Sequence, residues 1–85
     1  MINITRPEQL STFIKEYRKQ QQLTQSDVAK LIGIRVATIS DFENNPKSSK
    51  LETFFKILAA LHLQMELTSR AQAVNEQQSR WNEEW

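Results

Sequence analysis

The sequence predicts a mainly α-helical fold of four to five short helices, followed by one short β-strand that pairs across a homodimer. Three observations carry this expectation. Apolar residues recur at helical spacing in successive short segments, each bounded by a capping residue, a glycine or a proline. From Leu63 the period changes to two. The chain has 85 residues, 39% of them apolar, enough for one modest core and too few for a core plus a deep substrate cavity.

Thr5 opens the first helix as an N-cap, with Glu8 at the reciprocal position of a capping box and Pro7 tolerated in the first turn. Leu10, Phe13, Ile14 and Tyr17 form one apolar stripe, and the helix is expected over about residues 6–21. Thr24 caps the second helix, with Asp27 as its reciprocal partner; Val28, Ala29 and Ile32 face inward, and Gly33 closes it in the left-handed conformation. This helix is about two turns long and must be held by packing. A third helix is expected from Arg35 to Asn44, with Ile39 and Phe42 inward and Ala37 at the edge, ended by Pro46. Ser49 and Glu52 form a further capping box that opens a largely buried helix over 51–61.

Leu63, Met65 and Leu67 then alternate with Gln64, Glu66 and Thr68 as a half-buried strand. A lone strand cannot satisfy its own backbone. Ile2 and Ile4 make a weak partner, and the same strand of a second copy makes a better one. The chain thus divides into a folded and dimerising domain over 1–69 and a flexible polar tail over 70–85, in which Trp81 and Trp85 stand out.

Composition excludes several functions. Without cysteine there is no disulfide framework and no thiolate zinc site; His62 alone cannot build a metal cluster and reads as a capping or surface residue. One glycine excludes the Gly-rich phosphate loops. No spacing supports a catalytic triad, so neither an enzyme nor a cofactor is expected. A net charge of +1 leaves any nucleic-acid affinity to local arrangement. With no long apolar run and no signal-peptide pattern, the expectation is a cytoplasmic protein without a membrane partner.

Two short helices joined around Gly33, each flanked by a supporting helix, make a helix-turn-helix. The stretch Leu23-Thr24-Gln25-Ser26-Asp27-Val28-Ala29, then Leu31-Ile32-Gly33-Ile34, then Thr38-Ile39-Ser40-Asp41-Phe42-Glu43, resembles the Cro/C1-type (XRE-family) helix-turn-helix over roughly Leu10–Leu63. The run from Ala37 to Pro46 and the segment Thr53-Phe54-Phe55-Lys56-Ile57-Leu58 are similar to the HipB family of antitoxins. That resemblance implies a bacterial repressor of its own operon that also neutralises a HipA-like serine/threonine kinase toxin, associated with the nucleoid when bound to DNA. Ile34-Arg35-Val36 departs from the family's usual Lys-Gln pair, so the operator sequence does not carry over. The tail is similar only in composition and in its last residues, Glu84-Trp85, which leaves room for a reorganised system such as a kinase split into two chains.

On this reading Arg35, Val36, Ala37 and Ser40 contact bases in the major groove of two-fold operator DNA, while Thr24, Gln25 and Thr38 contact phosphate. The resemblance also pairs Arg18 with Glu43 as a structural ion pair between the first and third helices. Leu63, Met65 and Leu67 form the dimer strand, and Trp81 and Trp85 are anchors for a partner. Two other functions compete: a stand-alone XRE-family regulator without a toxin partner, and a protein-only adaptor that shows no salt-dependent DNA binding.

Overall fold

A computed structural model describes residues 2–70. Four α-helices follow in order: α1 (Pro7–Gln20), α2 (Gln25–Ile32), α3 (Val36–Asn44) and α4 (Leu51–Ala60), with a 3-10 turn (Pro46–Ser48) between α3 and α4. Their inward faces meet in one core. Ile14 of α1, Val28 and Ala29 of α2, Ile39 and Phe42 of α3, and Phe54, Ile57 and Leu58 of α4 are buried together, with Leu61 closing the cluster. Phe42 and Phe54 stack with ring centroids 6.2 Å apart, so α3 rests directly on α4.

Two helix caps differ from the sequence expectation. The N-cap of α1 is Arg6 rather than Thr5. A guanidinium has no acceptor, so the cap works from the other side: Gln9 Oε1 accepts from the backbone N–H of Arg6 at 3.2 Å and of Thr5 at 2.8 Å. Glu8, released from capping, pairs at 3.2 Å with Lys47 of the 3-10 turn. At α4 the N-cap is Lys50, without a side-chain cap, and not Ser49. The helix begins at Leu51 as expected, but the 3-10 turn before it leaves Ser49 extended as that turn's C-cap.

The expectation that α4 is largely buried also needs correction. Leu51 is 74% exposed and Phe55 49%, so one side of this helix faces out of the protomer. With Met65 at 48%, Leu67 at 86% and Ile2 at 56%, they concentrate exposed apolar surface on the lead, α4 and the segment after it. Residues 63–69 carry neither a helical nor a strand hydrogen-bond pattern within the single chain.

Three helix ends use one device. Gln22 (φ 61°), Gly33 (φ 68°) and His62 (φ 58°) each take the left-handed conformation just past a helix. The following N–H turns back onto a carbonyl five residues earlier: Leu23 onto Arg18, Ile34 onto Ala29, and Leu63 onto Leu58, at 2.9–3.1 Å. Leu23, Ile34 and Leu63 thereby pack against the core.

Candidate nucleic-acid interface

The start of α2 is fixed by reciprocal bonds. The Asp27 N–H donates to Thr24 Oγ1 at 3.0 Å, and the Thr24 N–H donates to Asp27 Oδ2 at 2.8 Å. The bond from the Thr24 backbone, then that of its side chain, hold the Asp27 carboxyl below its ordinary pKa, so it stays ionised at neutral pH. The remaining N–H groups of the first turn lack intrahelical acceptors, and the dipole end is positive, the environment an external phosphate requires.

Gly33 and Ile34 then turn the chain into α3, whose N-cap is Arg35. Burial divides this helix cleanly. Ile39, Phe42 and Glu43 are buried, whereas Arg35, Val36, Ala37, Asp41 and Asn44 are exposed, with Thr38 and Ser40 in between. Ala37, at the edge of the helical wheel, falls on the outer side. The outer side chains near the N-terminal end are short apart from Arg35, which permits close approach of the helix to a groove. Ser40 Oγ accepts a hydrogen bond from Asn44 Nδ2 at 3.1 Å.

Behind this face lies a buried polar network. Arg18 Nε donates to Glu43 Oε2 at 2.7 Å and Arg18 Nη2 to Glu43 Oε1 at 3.1 Å, a two-pronged contact between α1 and α3. Arg18 Nη1 donates to the Leu23 carbonyl at 2.8 Å, and Gln25 Nε2 donates to Glu43 Oε1 at 2.9 Å. Both charged side chains are nearly inaccessible, at 8% and 2% exposure. Burial pushes the Glu43 carboxyl up, but the hydrogen bonds from Arg18 and Gln25 and the Arg18 charge outweigh it, and its pKa lies below the ordinary value. Among the described residues no buried side-chain nitrogen or oxygen lacks a partner.

The structure therefore brings Thr24, Gln25, Arg35, Val36, Ala37, Thr38 and Ser40 onto adjoining parts of α2 and α3. Gln25 differs from the others, because one amide N–H is committed inward to Glu43. Sequence reading missed Gln25 and the Leu23 carbonyl as partners of the ion pair; 18 residues separate Gln25 from Glu43, and no local spacing signals such a contact. The Ser40–Asn44 bond did have a signal, the i, i+4 spacing of two polar residues on one helix. Trp81 and Trp85 lie outside the described residues.

A helix-turn-helix family model matches residues 14–67. Antitoxin HipB of Escherichia coli strain K12 is 49% identical over 79 residues, spanning 93% of this chain and 90% of that protein. The chain belongs to the HipB family of Cro/C1-type helix-turn-helix proteins. This HipB family is one of DNA-binding antitoxins and not of enzymes. Antitoxin HigA1 of Mycobacterium tuberculosis H37Rv is a more distant relative, 37% identical over 59 residues, which cover 69% of this chain and 40% of HigA1. Two solved HipB structures superpose closely on the HipB-family fold seen here. The chain in a HipA-HipB-O2-O3 complex aligns at TM-score 0.81 with 50% identity, covering 82% of this chain and 99% of that one. That in a HipB-O4 20mer complex aligns at 0.80 with the same identity and coverage. Among the described residues no helix is long and apolar enough to cross a membrane.

Proposed function

We propose that this chain is the antitoxin of a type II toxin–antitoxin system: a dimeric repressor that reads its own operator and neutralises a HipA-like serine/threonine kinase. The observation that carries the DNA-reading half is the outer face of α3, where Arg35, Val36 and Ala37 are exposed at the N-terminal end. Arg35 can fork onto guanine or bridge a phosphate, Val36 and Ala37 suit thymine methyl groups, and Ser40 a base edge. Thr24, Gln25 and Thr38 hold phosphate, Gln25 through the N–H that Glu43 does not take. Relatives found in complexes with a 20mer, and with HipA, support both halves. The protein then resides in the bacterial cytoplasm, on the nucleoid when bound.

Two copies are needed, because two-fold readers place their recognition helices about 34–36 Å apart to meet successive major grooves. Leu63, Met65 and Leu67 supply the strand that pairs across the dimer axis. The domain over 1–69 carries DNA reading and dimerisation, and the tail over 70–85 carries Trp81 and Trp85 to the kinase, whether that kinase is one chain or split into two.

Titration of operator duplex at moderate salt tests the DNA half. Arg35→Ala and Ser40→Ala are each expected to weaken specific binding by about 1–3 kcal/mol and to relax the sequence preference at one position. Unchanged affinity in both variants removes the assignment. Calorimetry with the kinase tests the other half: a chain ending at Arg70 should bind operator normally and kinase less well. Kinase binding by neither form leaves the stand-alone regulator.

A further inference from the structure

We propose that Asn44 is a positioning residue that turns Ser40 into a hydrogen-bond donor toward the DNA base it faces. This rests on the DNA-reading function proposed above and assigns one contact its chemical polarity.

A serine hydroxyl carries one proton and two lone pairs, so an unconstrained serine donates to an acceptor or accepts from a donor and discriminates little between base edges. Ser40 is constrained. Asn44 Nδ2 donates to Ser40 Oγ at 3.1 Å from one helical turn further on. That bond occupies a lone pair and excludes the hydroxyl proton from the same line. Other serines in the fold behave differently: Ser11 Oγ donates to the Glu8 carbonyl and Ser48 Oγ to the Asn45 carbonyl, each at 3.2 Å, so their protons are spent on backbone. In the Ser40–Asn44 bond the serine is the acceptor, and its proton is available elsewhere.

The place of the pair gives that proton a use. Ser40 lies at the margin of the outer face of α3, one turn after Val36, and Asn44 is exposed at the end of the same helix. Asn44 is also the residue before the C-cap, where the Asn45 N–H closes onto the Asp41 carbonyl at 2.7 Å, so the backbone that carries the amide is fixed. Accepting from Asn44 leaves Ser40 its proton and one lone pair and polarises the hydroxyl into a stronger donor, which favours purine N7, guanine O6 or thymine O4 over the amino group of cytosine.

The test uses the full-length chain and duplexes it selects from a randomised pool. Affinity is measured for the best duplex and for its three single-base variants at the position where Ser40→Ala becomes indifferent. Asn44→Ala is expected to lower the preference there by about threefold or more, the scale of one ordinary hydrogen bond. Its thermal midpoint and its affinity for random duplex should not move. Ser40→Ala/Asn44→Ala should lose no more preference than Ser40→Ala alone. Asn44→Asp, whose carboxylate takes the hydroxyl proton, should shift the preference toward a base that presents an amino group. Equal losses on all four duplexes for Asn44→Ala, or additive losses in the double variant, overturn the positioning role while leaving the DNA-reading function in place. A wild-type chain that selects no sequence removes that function and this contact together.

Discussion

Arg18 and Glu43 show how a single charged pair orders a reading head. Desolvating both groups offsets much of their attraction, so the pair contributes geometry more than net stability. It joins α1 to α3, and through Gln25 and the Leu23 carbonyl it also holds the start of α2 and the turn before it. Removing one partner strands the other in the interior. Glu43→Leu is therefore expected to lose about 3–5 kcal/mol in urea unfolding, and Arg18→Met/Glu43→Leu, which strands no charge, to lose less. Equal losses would show that charge burial is not the issue. The lowered pKa of Glu43 gives the pair a pH signature. A carboxylate whose pKa is lower folded than unfolded stabilises above its unfolded value, about 4.3, and that contribution disappears as pH falls through the folded value. The wild type should lose urea resistance over that acid window more steeply than the paired replacement, and parallel pH curves would contradict the assignment.

At the level of the helices, the three left-handed ends are chemically unequal. Gly33 takes φ 68° without penalty, and an added Cβ there meets no atom within 4 Å, so Gly33→Ala isolates backbone strain from packing. It is expected to lower stability by about 1 kcal/mol, whereas Gln22→Gly and His62→Gly should each raise it by about 0.5–1 kcal/mol at no loss of side-chain packing. Melting curves of the three variants decide this, and a fall in both glycine gains would refute it. The same ends mark what was legible in the sequence. Gly33 announces its conformation by its identity, and the Thr24–Asp27 box by its spacing. Gln22 and His62 give no such notice, because a polar residue is forced left-handed there only so that Leu23 and Leu63 can reach the core. The caps of α1 and α4 each moved by one residue for related reasons: Gln9 reaches back where Glu8 had the better spacing, and the 3-10 turn after Asn45 has no periodic signal of its own. On the candidate site, the exposed positions of α3 followed from the helical wheel, while the inward bond of Gln25 depends on how α2 and α3 meet.

For the molecule as a whole, the surface left apolar is the informative quantity. Ile2, Leu51, Met65 and Leu67 line one groove between the lead, α1 and α4, with Phe42, Phe54 and Leu58 at its floor. Scattered apolar residues are normal on a surface, but a contiguous set this close to the C-terminal segment suits a second copy. Phe55→Glu and Met65→Pro, the first placing charge on the outer side of α4 and the second removing a ladder donor, are expected to yield monomers that keep their helical content. Sedimentation equilibrium with circular dichroism reads both properties. Dimers of both variants at micromolar concentration would place the interface elsewhere.

The division of α3 into three buried and several exposed residues reaches further than the fold. The side chains that packing requires, Ile39, Phe42 and Glu43, are not those proposed to meet a base, so the exposed positions Arg35, Val36 and Ala37 can be changed without disturbing the core. Duplicated copies of such a system in one cell can thus be insulated from one another by a few surface exchanges, each copy retaining the same scaffold and silencing only its own promoter.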